Sequence, residues 1–180
     1  EIDVTEVSSG FYNERQKVQM SLEKMLEVNE VFGIGNNNEL TNITFGLYAA
    51  VDITAADGAV IPADGLIEVV GIDADGNGVA KTDLPFGSYY LREHSTDAHY
   101  ILSDEKYQVT FSYGSQEDAV ITVKANDGEA IVNELIYGSV SGMKVDENGD
   151  ALSGAKIGLF APSVTEFTEE NAILVTTSAE

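Results

Sequence analysis

The sequence predicts an all-β protein built as an immunoglobulin-like β-sandwich. Short segments rich in β-branched and aromatic residues follow one another at residues 18–24, 43–48, 66–72, 88–94, 106–113, 119–125 and 130–136. Turn-forming sequences such as DADGNG, LPFG and NDGE separate several of these segments. About seven short strands in roughly 120 residues is the pattern typical of this architecture.

The chain also repeats itself, which is the second observation behind the fold class. NERQKVQMSLEK (13–24) aligns with NELIYGSVSGMK (133–144), since both begin Asn-Glu and end in lysine, 120 residues apart. Further on, LTNITFGLYAA (40–50) aligns with LSGAKIGLFAP (152–162). The order of the matched landmarks is the same in both copies, so we expect a tandem array of similar domains.

The landmarks divide the chain into three parts. Residues 1–16 are expected to be the C-terminal strand or strands of a preceding repeat. Residues 17–137 form one complete domain, and residues 138–180 are the N-terminal part of a following repeat. In such arrays each domain is a structural unit that contacts mainly its neighbours in the chain.

The repeat also decides the structure of the first element. Taken alone, NERQKVQMSLEKMLEV suits an amphipathic helix with Val18, Leu22, Met25 and Leu26 on one face. Its counterpart GSVSGMKV is rich in glycine and serine and is a poor helix former. Because equivalent positions of a repeat share a structure, the sequence favours a strand.

Three polar residues occupy strand positions where alternation predicts core residues. Lys24 continues the apolar face of VQMSLEK, Glu93 that of SYYLRE, and Asn133 that of AIVNELI. Burying any one of these side chains without a partner would cost several kcal/mol. We therefore expect Lys24, Glu93 and Asn133 to meet inside the sandwich.

Such a meeting permits a chemical reaction. Burial favours the neutral forms of amines and carboxyl groups, so a proton can pass from Lys24 to Glu93 and leave a nucleophilic amine. Glu93 would then polarise the Asn133 carboxamide through its oxygen and shuttle a proton to departing ammonia. The product is a Lys24–Asn133 isopeptide bond, lighter by about 17 Da. The alternative is a hydrogen-bonded cluster of the same residues without a covalent bond.

At these residues the sequence resembles the B-type repeats of Gram-positive collagen adhesins (Cna-B domains), which also occur in sortase-assembled, SpaA-like pilins. The resemblance rests on the strand ending in Lys24, on LSGAKIGLFAP, on Gly-x-Tyr-x-x-x-Glu in GSYYLRE and on a closing strand with Asn133. It covers nearly the whole chain. It implies a prealbumin-like, reverse-immunoglobulin sandwich with an isopeptide bond between first-strand lysine and last-strand asparagine, assisted by a middle-strand glutamate.

Those implied roles fall on Lys24, Asn133 and Glu93. Asn13 and Lys144 match the motif in the neighbouring repeats, but their partners are missing within this chain. The family often has Ala-Pro-x-Gly-Tyr after the glutamate, whereas this chain has STDAHY and keeps only Tyr100. No Leu-Pro-x-Thr-Gly sorting signal or pilin-type lysine motif occurs, so pilus polymerisation through this segment is unsupported.

Composition excludes several other functions. The chain has 31 acidic and 9 basic residues, a net charge of −22, which argues against nucleic acid and anionic membranes as partners. DADGNG starts like a calcium loop, but its twelfth position is Leu84, so a hairpin turn is the better interpretation. DENGD (146–150) is interpreted in the same way. His94 and His99 are too isolated for a zinc site, and we expect neither a metal nor a cofactor.

The resemblance implies a structural stalk or spacer module of an adhesin or pilin at the bacterial cell surface, outside the cell. Its partners would be the adjacent repeats of the same polypeptide, and its only catalysis a single autocatalytic cross-link. The alternative is an adhesive binding module that contacts a host or matrix glycoprotein through its loops.

Overall fold

The structure, a computed structural model, describes residues 16–54, 57–115 and 117–179. It divides into two units, one ending at Ile136 and one beginning at Tyr137. The segment expected to belong to a preceding repeat lies outside the described residues apart from Gln16.

The first unit consists of short strands and 3₁₀ turns. The strands are β1 (Lys17–Leu26), β2 (Thr44–Ala49), β3 (Ile53–Thr54), β4 (Val60–Ile61), β5 (Leu66–Gly71), β6 (Asn77–Ala80), β7 (Gly87–Ser95), β8 (Tyr107–Phe111), β9 (Val120–Lys124) and β10 (Ile131–Asn133). The 3₁₀ turns are Glu39–Asn42 and Ala125–Gly128. The 3₁₀ turns in the described part of the chain have three or four residues each, and no helix there is long enough to cross a membrane.

The first sheet is built around β1, which is long enough to pair with three strands. Along one edge it pairs in antiparallel fashion with β6. Along the other, its first half pairs in parallel with β9 and its end with β10. Lys24 lies opposite Ile131 and Leu26 opposite Asn133, so the first and last strands of the unit are neighbours.

The second sheet has the order β5-β2-β7-β8, and all its pairs are antiparallel. Apolar side chains from both sheets form one buried cluster, to which β1 contributes Val18, Met20 and Leu22, and β2 contributes Phe45 and Leu47. Two sheets that share one core form a β-sandwich. The all-β sandwich predicted from the sequence is confirmed.

Some elements differ from the expectation. DADGNG forms a turn, closed by the Asp73 carboxylate accepting from the backbone N–H groups of Asp75 and Asn77. However, the strands that it joins belong to different sheets, β5 to the second and β6 to the first. The sequence did not predict β3, β4 or β6, because strands of two to four residues are too short to show alternation.

The second unit contains β11 (Lys156–Leu159) and β12 (Leu174–Thr177), which pair in antiparallel fashion, and a 3₁₀ turn at Glu169–Asn171. Residues 146–150 form a turn with the same hydrogen bonds as DADGNG, since the Asp146 carboxylate accepts from the N–H groups of Asn148 and Asp150. Residues 138–144, all described, form no strand. The expectation that they share the structure of β1 is wrong here, because no neighbouring strand pairs with them.

Candidate functional site

Lys24 lies on the inner face of β1, near the end of the strand. Its side chain is 1% exposed, because the alternation that buries Val18, Met20 and Leu22 also directs residue 24 into the sandwich. The Nζ atom donates hydrogen bonds to the backbone oxygens of Met25 (2.8 Å) and Ile131 (2.9 Å). The second bond ties the amine to β10, two residues before Asn133.

Burial shifts the protonation equilibrium of this lysine toward the neutral amine. Desolvation lowers the pKa of Lys24 from 10.5 to about 8, and the negative charge of Glu93 acts in the opposite direction. With that pKa, roughly one lysine in ten carries a neutral amine at pH 7, against fewer than about one in a thousand at the ordinary value. Only the neutral form has the lone pair that a nucleophile needs.

Glu93 comes from β7, which lies inside the second sheet. It is 4% exposed and both of its carboxylate oxygens are engaged. Oε1 accepts from Asn133 Nδ2 at 2.6 Å, and Oε2 accepts from the backbone N–H of Ser103 at 2.9 Å. The carboxylate is therefore fixed between the last strand of the first sheet and the loop after β7.

Asn133 ends β10 and is 2% exposed. Its Nδ2 donates to Glu93 Oε1 and also to Thr96 Oγ1, at 2.8 Å. The carboxamide thus turns its nitrogen toward Glu93, whereas the sequence argument had expected Glu93 to contact the oxygen. In this arrangement Glu93 Oε1 contacts the carboxamide nitrogen and not its oxygen.

The loop after β7 brings two further groups to the site. Tyr100 forms a β-bridge with Leu135, and its hydroxyl donates to the backbone oxygen of Glu27 at 2.9 Å. These contacts fold the loop back, so that Thr96 and Ser103 both reach the polar cluster. Sequence reasoning missed them because loops have no periodicity, although the departure of STDAHY from the family pattern was a signal.

The remaining site predictions have other outcomes. Lys144 is exposed and its Nζ donates to the backbone oxygen of Val145 at 2.7 Å. Asn13 lies outside the described residues. His99 pairs with Asp97, and His94 Nδ1 lies 3.4 Å from the hydroxyl of Tyr48. Within the described ranges, no group of three or more His, Asp or Glu side chains is arranged to hold a metal ion.

The arrangement places an amine, a carboxylate and a carboxamide between the two sheets of one sandwich. Across the described residues, every buried side-chain nitrogen and oxygen atom has a hydrogen-bond partner. The fold defines the class of the protein, an all-β sandwich of immunoglobulin-like architecture with a buried polar cluster.

Comparison with known families identifies the domain more closely. The model of the SpaA prealbumin-like fold domain matches residues 32–133, more than half of the chain. The chain belongs to this family. The matched region contains Glu93 and Asn133 and begins shortly after Lys24.

Solved structures that this chain resembles include one from Bacillus anthracis and one from Streptococcus pyogenes. The Bacillus anthracis TIE protein is 16% identical, with a TM-score of 0.51 over 92% of this chain and 25% of that one. The T6 backbone pilin of Streptococcus pyogenes is 21% identical over 53% of this chain and 16% of that one, with a TM-score of 0.35. The chain spans a quarter or less of these two proteins. No curated protein matches it.

Proposed function

We propose that this chain is a structural stalk or spacer module of a pilin or adhesin displayed outside a bacterial cell, at the cell wall. Membership of the SpaA prealbumin-like family supports this assignment. The observation that carries it is the burial of Lys24, Glu93 and Asn133 in one sandwich, with Lys24 on the first strand, Asn133 on the last, and Glu93 hydrogen-bonded to Asn133. The repeated landmarks of residues 13–24 and 133–144 support a tandem arrangement in which adjacent repeats are the partners.

The polar cluster serves to form an isopeptide bond between Lys24 and Asn133. Glu93 takes one proton from the Lys24 ammonium, and the neutral Nζ attacks the carboxamide carbon. The Nζ–Cγ bond forms, Glu93 passes its proton to Nδ2, and the Cγ–Nδ2 bond breaks. Nζ then gives up a second proton, which moves through Glu93 to the released ammonia. Of the three ammonium hydrogens one stays in the new amide and two leave with the nitrogen, so the released species is ammonium. The reaction consumes its own groups and occurs once per chain.

A bond at this place suits a module that carries tension. It joins β1 to β10, the strands at which the chain enters and leaves the sandwich, so force passes through the bond without peeling the sheet apart. By analogy with a disulfide, closing a loop of about 110 residues stabilises the fold by about 4.7 kcal/mol through the entropy of the unfolded chain. Unlike a disulfide, the amide is not reducible.

Intact-mass spectrometry of the purified chain tests the bond. The unsubstituted chain is expected about 17 Da below the mass of its sequence, and Glu93→Ala at the full mass, because the proton shuttle is lost. Glu39→Ala is the matched control: Glu39 is also a buried, hydrogen-bonded glutamate, but its partners Gly35 and Asn37 lie in another loop. An unsubstituted chain at its full mass contradicts the proposal.

Adhesive binding is a second candidate function, and one loop favours it. Val31 and Phe32 are 66% and 54% exposed at the tip of a turn. The turn is held by an Asn29–Ile34 bridge and by the Asn29 carboxamide oxygen, which accepts from both tip N–H groups. An exposed apolar patch favours an interaction site.

Immobilised matrix glycoproteins are the probe for this second function. If the loop is adhesive, the unsubstituted chain binds one of them and Phe32→Ser weakens that binding, whereas Phe86→Ser, at another exposed phenylalanine, leaves it unchanged. Absence of binding by the unsubstituted chain leaves the spacer function alone.

A further inference from the structure

The Asn133 carboxamide is held by more than the predicted partners. One of its N–H groups donates to Glu93 and the other to the Thr96 hydroxyl. We infer that Thr96 is a positioning residue for the Lys24–Asn133 cross-link, fixing the orientation of the carboxamide throughout the reaction. This inference rests on the proposed function.

A second anchor is needed because Glu93 changes its role during the reaction. As a carboxylate it accepts from Nδ2, and this alone keeps the nitrogen side of the carboxamide facing it. Once it has taken the proton from Lys24, it is a hydrogen-bond donor that interacts equally well with the carboxamide oxygen. At that moment Glu93 no longer selects between the two orientations of Asn133.

Thr96 opposes rotation of the carboxamide from one orientation to the other. Its Oγ1 accepts from the second N–H of Asn133 at 2.8 Å, whether or not Glu93 is protonated. The carboxamide can rotate only after this bond breaks, so the nitrogen is held beside Glu93, which can protonate it as the Cγ–Nδ2 bond breaks. A wrongly rotated carboxamide would present its oxygen to the acid, and its nitrogen could not leave as ammonia.

The position of Thr96 in the chain is also specific. It directly follows β7, three residues after Glu93, and is half-buried. The loop that carries it is tied down by the Tyr100–Leu135 bridge, which joins it to the chain just after Asn133. Residues 96 and 133 are therefore held together from both sides, and the hydroxyl reaches the carboxamide at little cost in side-chain entropy.

The experiment follows the rate of ammonia loss. Chains are made by cell-free synthesis, translation is stopped, and the fraction at the lighter mass is measured over time. Thr96→Val, which keeps the shape but lacks the hydroxyl, is expected to slow the loss by about three- to tenfold, the effect of one hydrogen bond. Thr96→Ser is expected to react at about the unsubstituted rate, because it retains the hydroxyl.

Thr44→Val is the matched control. It removes a hydroxyl that bonds to Ser95, next to Thr96, at 2.7 Å, without touching the carboxamide. Its rate should equal that of the unsubstituted chain. Repeating the series across pH adds a readout that separates this role from a structural one. Thr96→Val should lower the rate at every pH, while the midpoint of the rate–pH curve, which the pKa of Lys24 sets, stays in place.

Each outcome decides the inference. If the unsubstituted chain loses ammonia and Thr96→Val does so at the same rate, the role of Thr96 is refuted and the cross-link stands. If Thr44→Val slows the reaction as much as Thr96→Val, the effect is general loosening of the loop and the inference is also refuted. If the unsubstituted chain keeps its full mass, the proposed function itself fails, and the role of Thr96 fails with it.

Discussion

Lys24 in the first unit and Lys144 in the second end matching sequence segments, but their environments differ. Both Nζ atoms donate to the backbone oxygen of the following residue, Met25 in one case and Val145 in the other. Lys24 has a second acceptor, Ile131 of β10, and is buried, whereas Lys144 is exposed. One local hydrogen bond is thus shared, and only the packed neighbours of Lys24 turn it into a candidate nucleophile.

Other local features recur in the two units in the same way. At Gly46 a Cβ atom would lie 2.5 Å from the Tyr48 ring, and at Gly158 it would lie 2.6 Å from the Phe160 ring. In both units, the absence of a side chain at the glycine leaves room for the aromatic ring of the residue two positions later. Features that depend on residues adjacent in sequence recur where the sequence recurs. Burial of a side chain depends instead on which strands pack against it.

The largest expected effect is on stability. Lys24→Met keeps most of the side-chain volume but removes the amine, so the proposed cross-link and its roughly 4.7 kcal/mol are lost. The thermal midpoint of the first unit should fall by more than about 10 °C. Near-ultraviolet circular dichroism of the tyrosines reports this transition, because most of the eight tyrosines lie in the first unit.

Lys144→Met provides the comparison for that experiment. Its side chain is exposed, and exposed substitutions usually change the free energy of unfolding by less than about 0.5 kcal/mol. We expect the midpoint to stay within about 2 °C of the unsubstituted chain. Equal midpoints for Lys24→Met and Lys144→Met would show that the difference between the two lysines has no energetic consequence.

The two Asp-closed turns give an intermediate effect. Gly76 and Gly149 have nearly the same left-handed backbone, with φ of 88° and 89°. Alanine in that conformation costs about 1 kcal/mol at either position. At Gly76 a methyl group would also collide with the backbone oxygen of Lys24, whereas at Gly149 it meets open space. Gly76→Ala should therefore destabilise its unit by about 1–3 kcal/mol more than Gly149→Ala.

Hydrogen exchange measured peptide by peptide reports on each unit separately, so it can compare Gly76→Ala with Gly149→Ala. Faster exchange is expected throughout β1 in Gly76→Ala, and only near the turn in Gly149→Ala. If exchange becomes faster only near the turn in both variants, β1 moves to accommodate the added methyl group and the expected difference in stability is contradicted.

The smallest expected effect is a pH dependence that belongs to Lys24. In Asn133→Ala no cross-link can form, and Lys24 has a pKa of about 8 when folded but 10.5 when unfolded. Between these values the unfolded chain binds more protons, so the free energy of unfolding rises with pH. From pH 8 to 9.5 the expected increase is about 1–2 kcal/mol, measured by urea denaturation.

The controls for the pH experiment follow from the same linkage. Lys24→Met combined with Asn133→Ala should lose the increase. The unsubstituted chain should not show it, because the proposed cross-link converts its Lys24 nitrogen into an amide. Adding Lys144→Met to Asn133→Ala should leave the increase unchanged. A decrease in stability over this range in Asn133→Ala would contradict the lowered pKa.

Much of this structure follows from local pattern. The alternation of VQMSLEK, SYYLRE and AIVNELI indicated which residues face inward, and the structure buries Lys24, Glu93 and Asn133. By contrast, β6 was missed because Asn77-Gly78 has the composition of a turn, and its strand conformation depends on pairing with β1. Thr96 was missed because its role depends on a loop bridged to another strand.

By itself the sequence determined the all-β class, the order of the main strands and the parity of the three polar residues, since these depend on side-chain periodicity and turn chemistry within a few residues. The tertiary structure decided which strands are neighbours, which side of the Asn133 carboxamide faces Glu93, and which of two similar lysines is buried. Those properties depend on contacts between residues about 40 to 110 positions apart, and no local pattern encodes them.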